Sequence, residues 1–167
     1  MKKVLIGAAI LVGLSLTHSV NAQAATATGT ANAKVLAPIA ISAGTPLNFG
    51  SIASSAALGT VVMTAAGARS ATGGVGLVTD GTNAPTAGVF TVTGATGIGF
   101  SITLPATATI TSGANNMTVN AFASTPSGSG TLVGGTATVN VGATLNVGAN
   151  QVAGTYTGTY PVTVNYN

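Results

Sequence analysis

The chain has 167 residues, with 24 Gly, no Cys, 46% hydrophobic residues and 3% charged ones, for a formal net charge of +3. Such scarcity of acids, bases and nucleophiles excludes most enzyme mechanisms, which need those groups positioned together. It also argues against disorder, because disordered chains combine low hydrophobicity with high net charge.

The N-terminus reads as a secretory leader. Met1-Lys2-Lys3 is a short positive region, Val4–Leu16 is an apolar run, and Val20-Asn21-Ala22 is a small-x-small cleavage site. The expected cut follows Ala22, with Ala24 or Ala25 as alternatives. A membrane-spanning helix needs about 20 apolar residues, and Thr17, His18 and Ser19 end this run early. Cleavage removes Lys2, Lys3 and the only His, leaving Lys34, Arg69 and Asp80 as the only charged residues. Three isolated charges make no basic patch, so nucleic acid is not an expected partner. The expected organisation is a signal peptide over 1–22, an extended arm over 23–34 and one domain over 35–167. That domain is long enough to bury a core without disulfides.

Next comes the arm. Ala25, Ala27, Gly29, Ala31 and Ala33 alternate with Thr26, Thr28, Thr30 and Asn32. An Ala side chain buries little area, so the arm is too weakly apolar to hold itself in a core. Residues 53–67 are Ala-rich and leave a short helical turn open, although Thr60-Val61-Val62-Met63-Thr64 inside them reads as a strand. Asp80-Gly81 signals a loop; one carboxylate cannot supply the oxygens that Ca²⁺ takes. Gly73-Gly74-Val75-Gly76 lacks the Lys-Ser/Thr and the helix of a phosphate-binding loop. No cofactor or metal is expected.

Alternation becomes strict further along. Ile98, Phe100, Ile102 and Leu104 share one face. So do Ala137, Val139, Val141, Ala143, Leu145 and Val147, opposite Thr138, Asn140, Thr144 and Asn146. Period two indicates half-buried strands. Turn signals separate the runs: Ser112 to Asn116, with Asn115-Asn116 as the turn, Pro126 to Gly130, and Gly134-Gly135. A last strand is expected over Thr155–Asn167, with Tyr156, Tyr160, Val162, Val164 and Tyr166 in one row and Gly158 filling its gap. About seven to nine short strands with regular turns indicate an antiparallel all-β sandwich. An outer-membrane barrel is the competing architecture, but it carries aromatic girdles that four Phe and three Tyr cannot build.

Two regions invite strand addition. The last strand has nothing after it to pair with its free edge, and the arm is extended. Sheet edges are normally guarded by Lys, Pro or bulges, and low net charge favours association. An unguarded edge and an extended segment are what strand addition between subunits requires.

At these residues the chain resembles known families. Leu47 to Ile52, Phe90 to Gly94, Ile102 to Pro105, Val141 to Leu145 and Gly154 to Asn167 resemble a secreted bacterial family known as domain of unknown function 4402. More distantly, Pro38 to Ile41, Leu47 to Ile52 and the terminal alternation with its penultimate Tyr resemble spore-coat-U-like (archaic) chaperone–usher pilins. That resemblance implies an immunoglobulin-like sandwich lacking its last strand, filled first by a periplasmic chaperone and then by the next subunit's arm, with an outer-membrane usher as a further partner. By this resemblance the donor arm is Ala25, Ala27, Gly29, Ala31 and Ala33, and the chaperone- or subunit-pairing strand is Tyr160, Val162, Val164 and Tyr166. The chain departs from many pilins in lacking a disulfide and in using Ala where donor arms carry larger apolar residues.

The expected function is that of an exported, self-assembling filament subunit, not an enzyme, passing through the periplasm to the cell surface. Two alternatives stay open. One is a monomer whose arm pairs within its own domain. The other is a protein that binds ice or carbohydrate through Thr-x-Thr steps at Thr26-Thr28-Thr30, Thr107-Thr109-Thr111, Thr136-Thr138 and Thr155-Thr157-Thr159. High β propensity explains those threonines equally well, and scattered strands would not align them.

Overall fold

The computed structural model describes residues 23–167; the expected leader, 1–22, lies outside the described residues. The chain divides after Lys34, and the body spans Val35–Asn167. Residues 23–34 carry no strand and their side chains are exposed.

The body is an antiparallel β-sandwich with no helix among the described residues. Its ten strands are β1 (Ala40–Ala43), β2 (Ile52–Met63), β3 (Arg69–Leu77), β4 (Gly88–Thr93), β5 (Gly99–Thr103), β6 (Thr107–Ser112), β7 (Asn115–Thr125), β8 (Ser129–Thr131), β9 (Thr136–Val147) and β10 (Thr163–Tyr166). Strand β9 organises the larger, seven-stranded sheet. One edge of β9 pairs with β4 along Thr136–Val141 and then with β2 along Ala143–Val147. Its other edge pairs with β7, which carries β6. Gly142 sits where β4 hands over to β2, and a Cβ there would strike the Met63 carbonyl. Beyond these pairs, β1 flanks β4 and β3 flanks β2. The smaller sheet runs β10-β5-β8.

The alternation of β9 is realised as expected: Val139, Val141, Ala143, Leu145 and Val147 are buried. Each of the Val and Leu side chains contributes about 1.5–3 kcal/mol when fully removed from water. The core has two parts. Cluster 1 gathers Phe49, Val61, Met63, Val75, Met117, Val119, Ala143, Leu145 and Val147. Cluster 2 gathers Val92, Phe100, Ile102, Leu132, Val139, Val141 and Val164. Phe122 packs against both.

The local expectations fare unevenly. Gly134-Gly135 is a two-residue turn with both φ angles positive, 62° and 81°, closing the Val133–Thr136 bridge. Residues 53–63 are strand, not helix, and the chain turns at 65–67. Gly73-Gly74 lies inside β3, where a Cβ on Gly74 would strike the Ala57 carbonyl of β2. Asn115 and Asn116 are not the turn: Gly113-Ala114 is, with Gly113 at φ 58°, and Asn115 already pairs with Ser112. The expected strand over 155–167 is ladder-paired only at Thr157 and from Thr163 onward. Pro161 interrupts it, since proline has no N–H to donate.

Candidate strand-binding groove

The two halves of the large sheet are covered differently. Over cluster 2 the second layer is the β10-β5-β8 sheet, with Phe100, Ile102, Leu132 and Val164 facing Val92, Val139 and Val141. Over cluster 1 no strand of a second sheet is present among the described residues. Leu47, Phe49 and Tyr156 lie on it from irregular segments. The gap is a groove of about 540 Å³. Its floor is Ala108, Ile110, Met117, Val119, Phe122 and Leu145; its walls are Pro46–Ile52 with Asn83 on one side and Gly154–Tyr160 on the other. Among the described residues no charged side chain lines it.

The C-terminal wall is lightly held. Thr157 and Thr111 exchange backbone hydrogen bonds of 2.9 and 2.8 Å, and no other residue from Gly154 to Tyr160 has a backbone–backbone bond among the described residues. Gly158 permits this approach, because a Cβ there would strike the Thr109 carbonyl and Ile110. Tyr156 pins the segment's start. Its hydroxyl donates to the Val152 carbonyl at 2.7 Å and accepts from Gln151 Nε2 at 2.8 Å.

The N-terminal wall is firmly held. Asn48 and Thr86 exchange backbone bonds of 2.8 and 2.9 Å, and the Thr86 hydroxyl donates to the Pro46 carbonyl at 2.8 Å. The Arg69 guanidinium donates through Nη1 to the Phe49 and Ser51 carbonyls at 2.8 and 3.3 Å, and through Nη2 to the Val78 carbonyl at 3.3 Å. Asp80 accepts from the Ser51 hydroxyl and from the Thr82 and Asn83 N–H groups at 3.0 and 3.1 Å. The Ser51 bond first, then the two backbone bonds, hold its carboxyl well below the usual carboxylate range.

The proposed pairing residues all pack on cluster 2, and of the four Tyr160 alone also lines the groove. Tyr160 lies in the groove, where it meets Phe122 at 5.1 Å between ring centroids and Phe90 at 6.0 Å, edge-on. Burial pushes its hydroxyl pKa up to about 12. Val162, Val164 and Tyr166 lie with cluster 2, away from the groove, and Val164 is a core residue. The Tyr166 hydroxyl donates to the Ala37 carbonyl and accepts from the Ala95 N–H, both at 2.7 Å. Among the described residues no strand pairs with the outer edge of β10. The Asn167 N–H bonds to Gly99, so the hydrogen-bonded pairs with β5 fall at Thr163 and Asn165, and the backbone groups of Val164 and Tyr166 point the other way. Ala25, Ala27, Gly29, Ala31 and Ala33 are exposed and in no strand.

Sequence reasoning missed Arg69, Asp80 and the groove floor. Arg69 makes long-range bonds that leave no local pattern. The floor could be read from the alternation of Met117 and Val119, but not that irregular segments rather than a second sheet lie over it.

The sequence model of the family described as Domain of unknown function (DUF4402) matches residues 39–166. The chain belongs to this family. The match takes in both groove walls and every strand of the body. No curated protein and no solved structure matches the chain. Among the described residues of this DUF4402 protein, no three His, Cys, Asp or Glu side chains cluster as metal ligands, and no helix is long and apolar enough to cross a membrane.

Proposed function

We propose that this DUF4402 protein is exported and serves as the structural subunit of a surface filament, built by adding a β-strand of one copy to the body of the next. One observation carries this reading: among the described residues no strand of a second sheet lies over cluster 1, and the Gly154–Tyr160 wall holds a single ladder pair. An incoming strand would cover the half-buried Ala108, Ile110 and Phe122 of the floor and supply partners for the wall's backbone groups, which favour pairing whenever water is excluded. Within the chain, residues 25–33 are the segment suited to that role. They are uncharged, exposed, in no strand, and their small side chains suit a narrow groove. A periplasmic chaperone that occupies the groove before assembly, and an outer-membrane usher, fit the same reading.

The proposal is tested by electron microscopy of the native protein and of a chain lacking Gln23 to Ala33. Filaments from the first and soluble subunits from the second support it; filaments from both overturn it.

A second reading is favoured by the register. Thr109, Thr118, Asn146, Thr60 and Thr72 are successive cross-strand partners over β6, β7, β9, β2 and β3. Thr138, Thr91 and Ser42 are likewise partners over β9, β4 and β1. The outer face of the large sheet is therefore an uncharged hydroxyl and amide array at the strand spacing of about 4.8 Å. Such a face suits a neutral, hydroxyl-rich surface such as a carbohydrate. Sheet twist of about 20° per strand works against a flat crystalline target. Pull-down on insoluble neutral polysaccharides distinguishes this reading, because it survives deletion of the arm.

A further inference from the structure

Only two charged residues lie in the body, Arg69 and Asp80. They act on the same short stretch of chain. Arg69 reaches from the start of β3 to the carbonyls of Phe49 and Ser51, and it ties the Val78 carbonyl to them. Asp80 takes the Ser51 hydroxyl and fixes the loop at Thr82 and Asn83. The Asn83 side chain in turn accepts from Asn48 Nδ2 at 2.6 Å, and Asn48 Oδ1 accepts from the Gly50 N–H at 2.8 Å. Gly50 has φ 71°, and a Cβ there would collide with the Arg69 guanidinium. Every one of these bonds ends on the Pro46–Ile52 wall or on the loop behind it. The opposite wall has no charged residue and one ladder pair.

We propose that Arg69 and Asp80 are positioning residues that pre-form one wall of the groove, so that an incoming strand meets one fixed wall and one yielding wall. This deepens the strand-addition reading and rests on it. A wall held in its binding geometry removes an ordering cost from docking. If the wall is released, only a fraction of molecules is competent at any instant, and apparent affinity falls by that fraction. The loss should appear in association, because the docked complex is the same once formed. Lys would not replace Arg69, since one ammonium cannot hold three carbonyls in the fixed geometry of a guanidinium.

The test uses the chain lacking Gln23 to Ala33, whose compact body keeps the groove free of its own arm, with Arg69→Met and Asp80→Ala in that chain and a synthetic peptide of residues 24–33 as the probe. Two readouts are taken at a temperature where all chains are folded: amide exchange at Asn48, Gly50 and Val78, and peptide association and dissociation rates. The expected result is faster exchange at those amides in both variants, with association slowed about tenfold and dissociation nearly unchanged. Unchanged exchange in both variants overturns the bracing role. Faster exchange with unchanged association overturns the link to docking. If the peptide does not bind the unsubstituted chain at all, the strand-addition reading fails and the positioning role falls with it. That outcome is distinguishable from a variant-specific failure. Asp80→Ala, at an exposed site, keeps the test decisive should Arg69→Met not fold.

Discussion

Thr157 and Thr111 form the one backbone ladder pair that holds the Gly154–Tyr160 segment against β6. Their two bonds mark a boundary: on one side lies the paired edge of the large sheet, on the other the open groove. A rim held at one point can move to admit a strand, while the floor beneath it stays fixed by β7 and β9.

Filling the floor should block assembly without unfolding the body. Ala108 is half-buried, lines the groove and packs at the margin of cluster 1. Ala108→Phe places a ring where the added strand would lie. Subunit addition should fall about tenfold or more, as expected for a clash built against a partner, with little change in melting temperature. Light scattering of assembling subunits and a thermal melt together check this.

Val164 gives a different outcome. It is 8% exposed within cluster 2, so Val164→Asp buries a charge without a partner. The cost should be about 4 kcal/mol or more, enough to deplete soluble folded protein before any assembly step. Urea denaturation of whatever folds measures it. A chain that folds normally but fails to assemble would instead place Val164 on an interface.

Gly158 should tolerate no side chain. Gly158→Ala pushes a methyl into the Thr109 carbonyl and Ile110, at a cost of about 1–3 kcal/mol. Faster amide exchange at Thr111 and Thr157 would show that the rim has lifted.

Tyr160 predicts an alkaline transition. Its folded pKa is raised from 10.0 to about 12 by burial. A raised folded pKa means that the unfolded chain releases the proton first. The contribution is therefore fully present below about pH 10 and is lost as pH rises towards 12. Melting temperatures from pH 9 to 12 should drop less steeply in Tyr160→Phe than in the unsubstituted chain. Asp80 has the opposite sign: its pKa is depressed, so its contribution is complete above the ordinary carboxylate range and is lost progressively as pH falls from that range through its lowered value.

Much of the fold was legible because two signals acted locally. The period of β9 fixed its buried face, and Gly134-Gly135 had the residues that a tight hairpin needs. The Tyr and Val row near the C-terminus correctly pointed inward, but its path did not follow. Pro161 breaks the ladder, so Tyr156 serves cluster 1 and Val164 serves cluster 2. Asn115 and Asn116 were misleading because Gly113-Ala114, just before them, closes the hairpin. The groove was the least legible feature. Its floor residues look like any core strand, and its wall is set by Arg69 across 20 and 18 residues of sequence. An unfilled layer is a property of topology, and no single residue announces it.

The most direct measurement asks whose groove the arm fills. The chain has no cysteine, so introduced thiols report without background. Copies carrying Ala27→Cys in the arm are mixed with copies carrying Ala108→Cys in the floor and then oxidised. Strand addition between copies predicts a disulfide-linked species of twice the subunit mass in the mixture, and a ladder of higher multiples when both substitutions are in one chain. A double variant that closes only on itself, with no cross-linked species in the mixture, would contradict the account.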